Sequence, residues 1–152
     1  MRAGAASAAS FLTNGTMVFT TGPGTRPRKV LASACQRLRA VCGLREPAFI
    51  RSVDYLAELV GQDPFAGVDP DAVYERCVSL LHPDSGVLPA LPLVSRRGDV
   101  RILKSTGTEA LSVSLKVGNT PGSPNAYLER LLGLPATTRS WNTVARLVRR
   151  YA

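Results

Sequence analysis

The sequence predicts an α+β fold in which antiparallel sheets carry helices on one face. Three observations point there. Apolar residues recur with a helical period in several capped stretches, including two at the C-terminal end. Other runs alternate apolar and polar, most cleanly Leu111 to Val117 (LSVSLKV). The elements read in order as strand, strand, helix, strand, helix, then strand, a weak helix, several strands and two helices, which is not the regular strand–helix alternation of a parallel sheet.

In chain order, Phe11 to Thr21 (FLTNGTMVFTT) places two short β-rich runs around Asn14-Gly15, a dipeptide that tolerates the positive φ of a tight hairpin. Thr13-Asn14-Gly15-Thr16 is also a glycosylation sequon, inert without a secretory route. Gly22 to Lys29 (GPGTRPRK) is a loop rich in glycine and basic residues, but it lacks the spacing of a phosphate-binding P-loop. Pro27 opens a helix to Cys42 with Val30, Leu31, Ala34, Cys35, Leu38, Val41 and Cys42 inward, closed by Gly43. Pro47 to Arg51 (PAFIR) reads as a short strand, and Ser52 caps a helix that ends at Gly61. Gln62 to Ala72 is dense in Pro, Gly and Asp and marks the boundary between two halves, with Phe65 as an anchor on the core.

Val73 to Leu81 fits a strand or a short helix by pattern. A weak helical turn then follows His82-Pro83-Asp84-Ser85, and Arg96 to Asp99 turns a hairpin between Leu93-Val94-Ser95 and Val100 to Lys104. In the Leu111–Val117 run, Leu111, Val113, Leu115 and Val117 face inward and Ser112, Ser114 and Lys116 outward. Ser123 caps a helix beginning at Pro124, with Leu128, Leu131 and Leu132 as its apolar face and Gly133 as its left-handed stop. Leu134-Pro135 forces an extended exit, and Ser140 caps a last helix from Trp141 to Tyr151. Its inward face is Trp141, Val144, Ala145, Val148 and Tyr151; Asn142, Arg146, Arg149 and Arg150 form the other face.

The stretch SPNAYLERLLGLPATTRSWNTV resembles the closing signature of the bacterial domain-of-unknown-function family 1697, in which an NAFLE-type helix leads through G-V-P-A-T-x-R to an N-W-N-T-V helix. The matching positions are Gly133, Pro135, Ala136, Thr137, Arg139, Trp141, Asn142, Thr143 and Val144, with Ser140 where the family usually has Asn. The resemblance implies two ferredoxin-like subdomains of the β-α-β-β-α-β kind and a strand at Val73–Leu81. It also implies a first subdomain truncated at its front, because the family's opening strand, glycine-rich loop and helix have no counterpart before Phe11. The expected organisation is therefore 1–61 for the truncated subdomain and its following helix, 62–72 for a linker, and 73–152 for a second subdomain ending in a helix pair. An apolar face uncovered by that truncation predicts a homodimer.

Composition narrows the function classes. With 152 residues, 45% hydrophobic and a charge of +8, the chain is long enough for a real core and has no run long enough to span a membrane. The start MRAGAASAASFL lacks the pattern of a signal peptide, so a cytoplasmic location is expected. Sixteen of the 19 basic residues are Arg, whose planar fork suits phosphate and carboxylate, and which a GC-rich genome also favours. Cys35, Cys42 and Cys77 have no metal or disulfide spacing and read as small buried hydrophobes. No metal or cofactor is expected.

Two function classes stand. One is a binding or assembly module, recognising an anion through Asn125, Arg139, Trp141, Asn142 and Thr143 near the start of the last helix, with Arg146, Arg149 and Arg150 as a basic surface for which nucleic acid is an alternative partner. The same residue types also serve as a capped turn and a core plug. The other is a small biosynthetic enzyme doing acid–base chemistry on a small molecule in an apolar cavity, with His82, Tyr74 and Asp84 as its groups. A loop histidine without a catalytic role fits His82 equally.

Overall fold

The computed structural model describes residues 3–12 and 15–152. The chain is α+β and falls into two compact units, residues 1–50 and 51–152. In the first, strands β1 (Ala5–Phe11) and β2 (Thr16–Thr21) pair antiparallel as a two-stranded sheet, followed by helix α1 (Pro27–Cys42). Of the turn expected at Asn14-Gly15, Asn14 lies outside the described residues and Gly15 has a φ of 77°. The first strand starts earlier than its propensities indicate: the run from Ala5 to Ser10 is all Ala and Ser, and cross-strand pairing with Met17 to Thr21 overrides a weak local preference. Phe11 and Val30 are buried here.

Helix α1 starts with Pro27 in its first turn and stops where Gly43 takes φ 70°, donating its N–H to the Arg39 carbonyl. Its expected inward face holds only over the first turns. Leu38 is 45% and Val41 86% exposed, and Cys42 is exposed too, so the C-terminal half of the apolar stripe is uncovered. The strand expected at Pro47–Arg51 does not form. A strand is assigned by its ladder, and among the described residues the first unit's sheet holds β1 and β2.

The second unit opens with helix α2 (Val53–Gly61), capped as expected by Ser52, whose side chain accepts from the Tyr55 N–H. The stretch 62–72, expected to be a linker, lies inside this unit, and its Phe65 is 2% exposed in the core. Five strands follow: β3 (Glu75–Leu81), β4 (Leu93–Val94), β5 (Val100–Ser105), β6 (Glu109–Ser114) and, after two short pieces, β9 (Ala136–Ser140). They form one antiparallel sheet in the order β4-β5-β6-β3-β9. The short pieces β7 (Lys116–Val117) and β8 (Thr120–Pro121) pair with each other. Helix α3 (Pro124–Leu132) precedes β9, and helix α4 (Trp141–Tyr151) follows it. Residues 82–92 contain no helical turn; Pro83, Pro89 and Pro92 punctuate them.

Helices cover both faces of this sheet, not one. Side chains alternate along a strand. Val78 and Leu80 of β3 and Leu111 and Val113 of β6 therefore point to one side, where they meet Leu59 of α2, Phe65, and Trp141 and Val144 of α4. Leu81, Ala110, Val100 and Ile102 point to the other, where Leu128 of α3 sits fully buried among them with Ala136. This explains why every residue of β6 is buried. Ser112 and Ser114, expected outward, lie under α3, and the alternation ends at Leu115, after which Lys116 and Val117 are exposed.

The C-terminal helix pair also needs correction. The segment 136–140 is not an interhelix turn but the edge strand β9, laid antiparallel on β3 with Thr138 opposite Ser79. It separates α3 and α4 onto opposite faces. Leu131 is 39% exposed, so the apolar face of α3 is Leu128 with half-buried Tyr127 and Leu132. On α4 the buried residues are Trp141, Val144 and Leu147, the last not anticipated, while Ala145, Val148 and Tyr151 are half-buried.

One buried charge ties α2 to the sheet. Glu109, at the start of β6, is fully buried on the α2–α4 side. Its Oε2 accepts from Arg51 Nε at 2.5 Å and Thr108 Oγ1 at 2.7 Å; its Oε1 accepts from Thr106 Oγ1 at 2.6 Å and from the Tyr55 hydroxyl. Arg51 also donates to the Thr108 carbonyl. Burial alone pushes the carboxyl up. The donors from Thr106, Tyr55, Arg51 and Thr108 together outweigh it and hold the pKa below the usual value. Because the folded pKa is the lower one, this clasp stabilises the fold above the ordinary glutamate range and loses its contribution as pH falls through the folded value.

Glu109→Ala leaves the Arg51 guanidinium without its carboxylate and should cost about 3–5 kcal/mol in denaturant titrations at pH 7. Glu109→Gln should flatten the acid limb of the stability–pH curve below roughly pH 4. Gly122 seats the β7–β8 hairpin against the loop before β5: a Cβ there would lie 2.2 Å from the Asp99 carbonyl oxygen. Gly122→Ala should therefore destabilise by about 1–3 kcal/mol, read as a shift in the urea midpoint with unchanged slope.

Candidate functional site

The residues expected to form an anion site around the start of α4 are divided by the sheet. Asn125 is on the α3 side, where its Oδ1 accepts from Thr138 Oγ1 at 2.9 Å and its Nδ2 donates to Glu129 Oε1 at 3.0 Å. Thr138 in turn is 2.6 Å from Ser79 Oγ, and Glu129 Oε2 accepts the Ala136 N–H. This chain of bonds laces α3 to β9 and β3. Arg139, one residue along β9, points to the other face by alternation, where its guanidinium donates to Thr137 Oγ1 at 2.8 Å and to the Thr138 carbonyl at 2.9 Å.

Trp141 is 6% exposed and meets Phe65 edge-on, ring centroids 5.1 Å apart. Thr143 donates its N–H to Ser140 Oγ, so the first turn of α4 is capped by its own chain. Asn142 is exposed, and its Oδ1 accepts from Arg76 Nη2 at 3.2 Å.

Asn142 and Arg76 share a half-open surface depression of about 330 Å3 with Tyr74, Glu75, Pro70 and Val73. Tyr74 is 53% exposed, with Lys116 Nζ 5.0 Å above its ring. Tyr74 and Asn142 were expected in different sites, and Arg76, which bonds Asn142 and lines the same depression, was not expected at all; the pairing of β3 with β9 brings together positions 66 apart.

Tyr74 does not come near the other two acid–base candidates. It precedes β3 and His82 follows it, eight residues on, which at ~3.3 Å per residue is roughly 26 Å. His82 Nδ1 accepts the Asp84 N–H at 3.1 Å, with the exposed Asp84 carboxylate 3.8 Å away, an arrangement local to the turn. A second depression of about 280 Å3 is lined by Tyr55, Glu58, Leu59, Gln62, Ser105 and Thr106, beside the Glu109 clasp. Both oxygens of Glu109 are already occupied by protein donors.

The thiols are free, and none of the described residues groups three His, Cys, Asp or Glu side chains for a metal. Burial, helped by Glu75, pushes the Cys77 thiol up to about 12, so it stays protonated. Cys42, expected to be buried, is exposed and donates to the Leu38 carbonyl. No helix among the described residues is long and apolar enough to cross a membrane.

Charge separates the two units more sharply than any pocket does. Residues 51–152 hold twelve Lys and Arg against ten Asp and Glu, a surplus of two. Residues 1–50 hold seven against one, a surplus of six. Arg26, Arg28, Lys29, Arg37, Arg39 and Arg45 are all exposed, and among the described residues none of them forms an ion pair. Four lie on α1, whose first turn has no acidic residue and no capping side chain. In the second unit Arg146, Arg149 and Arg150 are exposed on α4, Arg150 lying 5.4 Å from the Tyr151 ring.

No curated protein and no solved structure matches this chain. One family model does, described as "Protein of unknown function (DUF1697)", over residues 1–104. That span contains the first unit and the second as far as β5, and it stops before the closing signature at Ser123–Val144. It covers more than half of the 152 residues, and the chain accordingly belongs to this family.

Proposed function

We propose that the protein is a binding module for an anionic partner and not an acid–base enzyme. The observation that carries this reading is the surplus of exposed, unpaired guanidinium groups, concentrated in the first unit. An unpaired arginine on the surface keeps its fork available for phosphate or carboxylate. The proposed catalytic groups support the enzyme reading less: Tyr74 and His82 lie at opposite ends of β3, and the depression beside Tyr74 is lined mostly by polar side chains, not the apolar ones expected of an enzyme cavity here. Arg76 with Asn142 gives a second, smaller anion position there, its guanidinium 6.0 Å from the Phe65 ring.

The fold reading deepens in the same way. The order β5-β6-β3-β9, all antiparallel with a helix on the crossover from β6 to β9, supports a ferredoxin-like second unit whose other crossover, residues 82–99, carries no helix. The hairpin β1–β2 supports assembly through a strand edge. Its thirteen residues include no charged side chain, and among the described residues its sheet has two strands. Uncharged edges without proline template further pairing, here with a second copy as a homodimer.

Isothermal titration of the purified chain with inorganic polyphosphate tests the anionic reading. Binding that weakens steeply with added KCl is expected, and no heat at low salt would sink it. For assembly, light scattering at micromolar concentration should give twice the monomer mass, and Val18→Lys, which places a charge in β2, should return it to the monomer. A wild-type monomer would count against the homodimer.

A further inference from the structure

We infer that the α1 side of the first unit is a nucleic-acid backbone-binding surface; this rests on the anionic reading above and specifies its partner. On a helical wheel Lys29 and Arg39 lie on the side of α1 away from Val30, Leu31, Ala34 and Cys35, and Arg28 and Arg37 border that apolar face on its two sides, with Arg26 before the helix and Arg45 after it. The helix is 16 residues, about 24 Å, long. A duplex presents a phosphate charge every ~1.7 Å of its axis, so a cationic rod of that length faces many phosphates at once. With Glu46 as the first unit's single carboxylate, intramolecular pairing does not compete for these guanidinium groups.

Two features favour a nucleic acid over an anionic membrane. Five of the six exposed basic groups are Arg, which grips phosphate with paired donors where Lys offers a point charge. A helix that lies in a membrane interface inserts a continuous apolar face with aromatic anchors. Here α1 has no aromatic residue, and the start of its apolar stripe is already spent on internal packing, Val30 being 4% exposed. Only Leu38, Val41 and the following Leu44 remain as large exposed apolar groups.

The test uses the full chain and fluorescence anisotropy with labelled duplex DNA and duplex RNA of about 20 base pairs and arbitrary sequence, across about 50–300 mM KCl. Replacing Arg28, Arg37 and Arg39 together by Gln should weaken binding roughly tenfold or more at 100 mM KCl and reduce the log–log salt slope by about 2.7, one step per lost phosphate contact. The Lys triple at the same positions should keep the slope, which separates charge loss from damage to the helix. The α4 triple Arg146→Gln, Arg149→Gln, Arg150→Gln should bind like the wild type. Three results overturn the inference while leaving the anionic reading standing: the α4 triple losing affinity while the α1 triple does not, vesicles rich in phosphatidylserine binding as well as or better than the duplexes, or polyphosphate binding without any duplex binding. A chain that binds none of the polyanions at low salt overturns both.

Discussion

The second unit depends on one constraint: its two central strands, β3 and β6, are buried on both faces. A strand in that position cannot leave either row of side chains to water, so the chain must supply cover twice. Helices α2 and α4 with Phe65 do so on one face and α3 on the other. The same constraint requires internal partners for the polar groups that fall on these strands. Ser79 bonds Thr138, Ser114 donates to the Gly122 carbonyl, and Glu109 collects four donors. Ser112 Oγ is the exception on these strands, buried without a hydrogen-bond partner among the described residues. Such bonds fix register: sliding β6 by one residue would aim Glu109 at the α3 side, away from Arg51 and Tyr55.

What the sequence shows well is whatever short-range chemistry determines. Ser52, Ser123 and Ser140 each cap the helix they precede, and Gly43 and Gly133 each end one with a left-handed residue, because a cap is settled within four residues. What it hides is whatever depends on partners distant in the chain. Pro47–Arg51 has a strand's composition but joins no sheet among the described residues, whereas Ala136–Ser140, with helix signals on both sides, becomes a strand because β3 offers it an edge. Ser112 and Ser114 alternate with apolar residues as though facing water; only the position of α3 reveals that they do not.

The candidate site was legible to the same degree. Asn125, Arg139, Trp141, Asn142 and Thr143 lie within 19 residues, and nearness in sequence made them look like one site. Alternation along β9 sends Thr138 and Asn125 to one face of the sheet and Arg139 to the other. Arg76 was invisible because its tie to Asn142 spans two strands. Glu109 offered a faint signal, a lone acid in an apolar strand after the hydroxyl-rich turn Ser105-Thr106-Gly107-Thr108, but its counterpart Arg51 lies 58 residues upstream.

The uneven charge has an energetic meaning beyond partner choice. In the second unit, acids nearly balance bases, and the one deeply buried carboxylate has its guanidinium. The first unit has a two-stranded sheet and a helix, with Phe11 and Val30 as its buried side chains, and it carries a surplus of six. Repulsion among those arginines works against a core that is already small, since a hairpin with one helix buries little apolar surface. Any counter-charge bound by the folded unit and not by the unfolded chain would relieve this repulsion and stabilise the fold by mass action. The surplus that sets like charges against a small core is the same one that leaves the exposed arginines of α1 without ion pairs among the described residues.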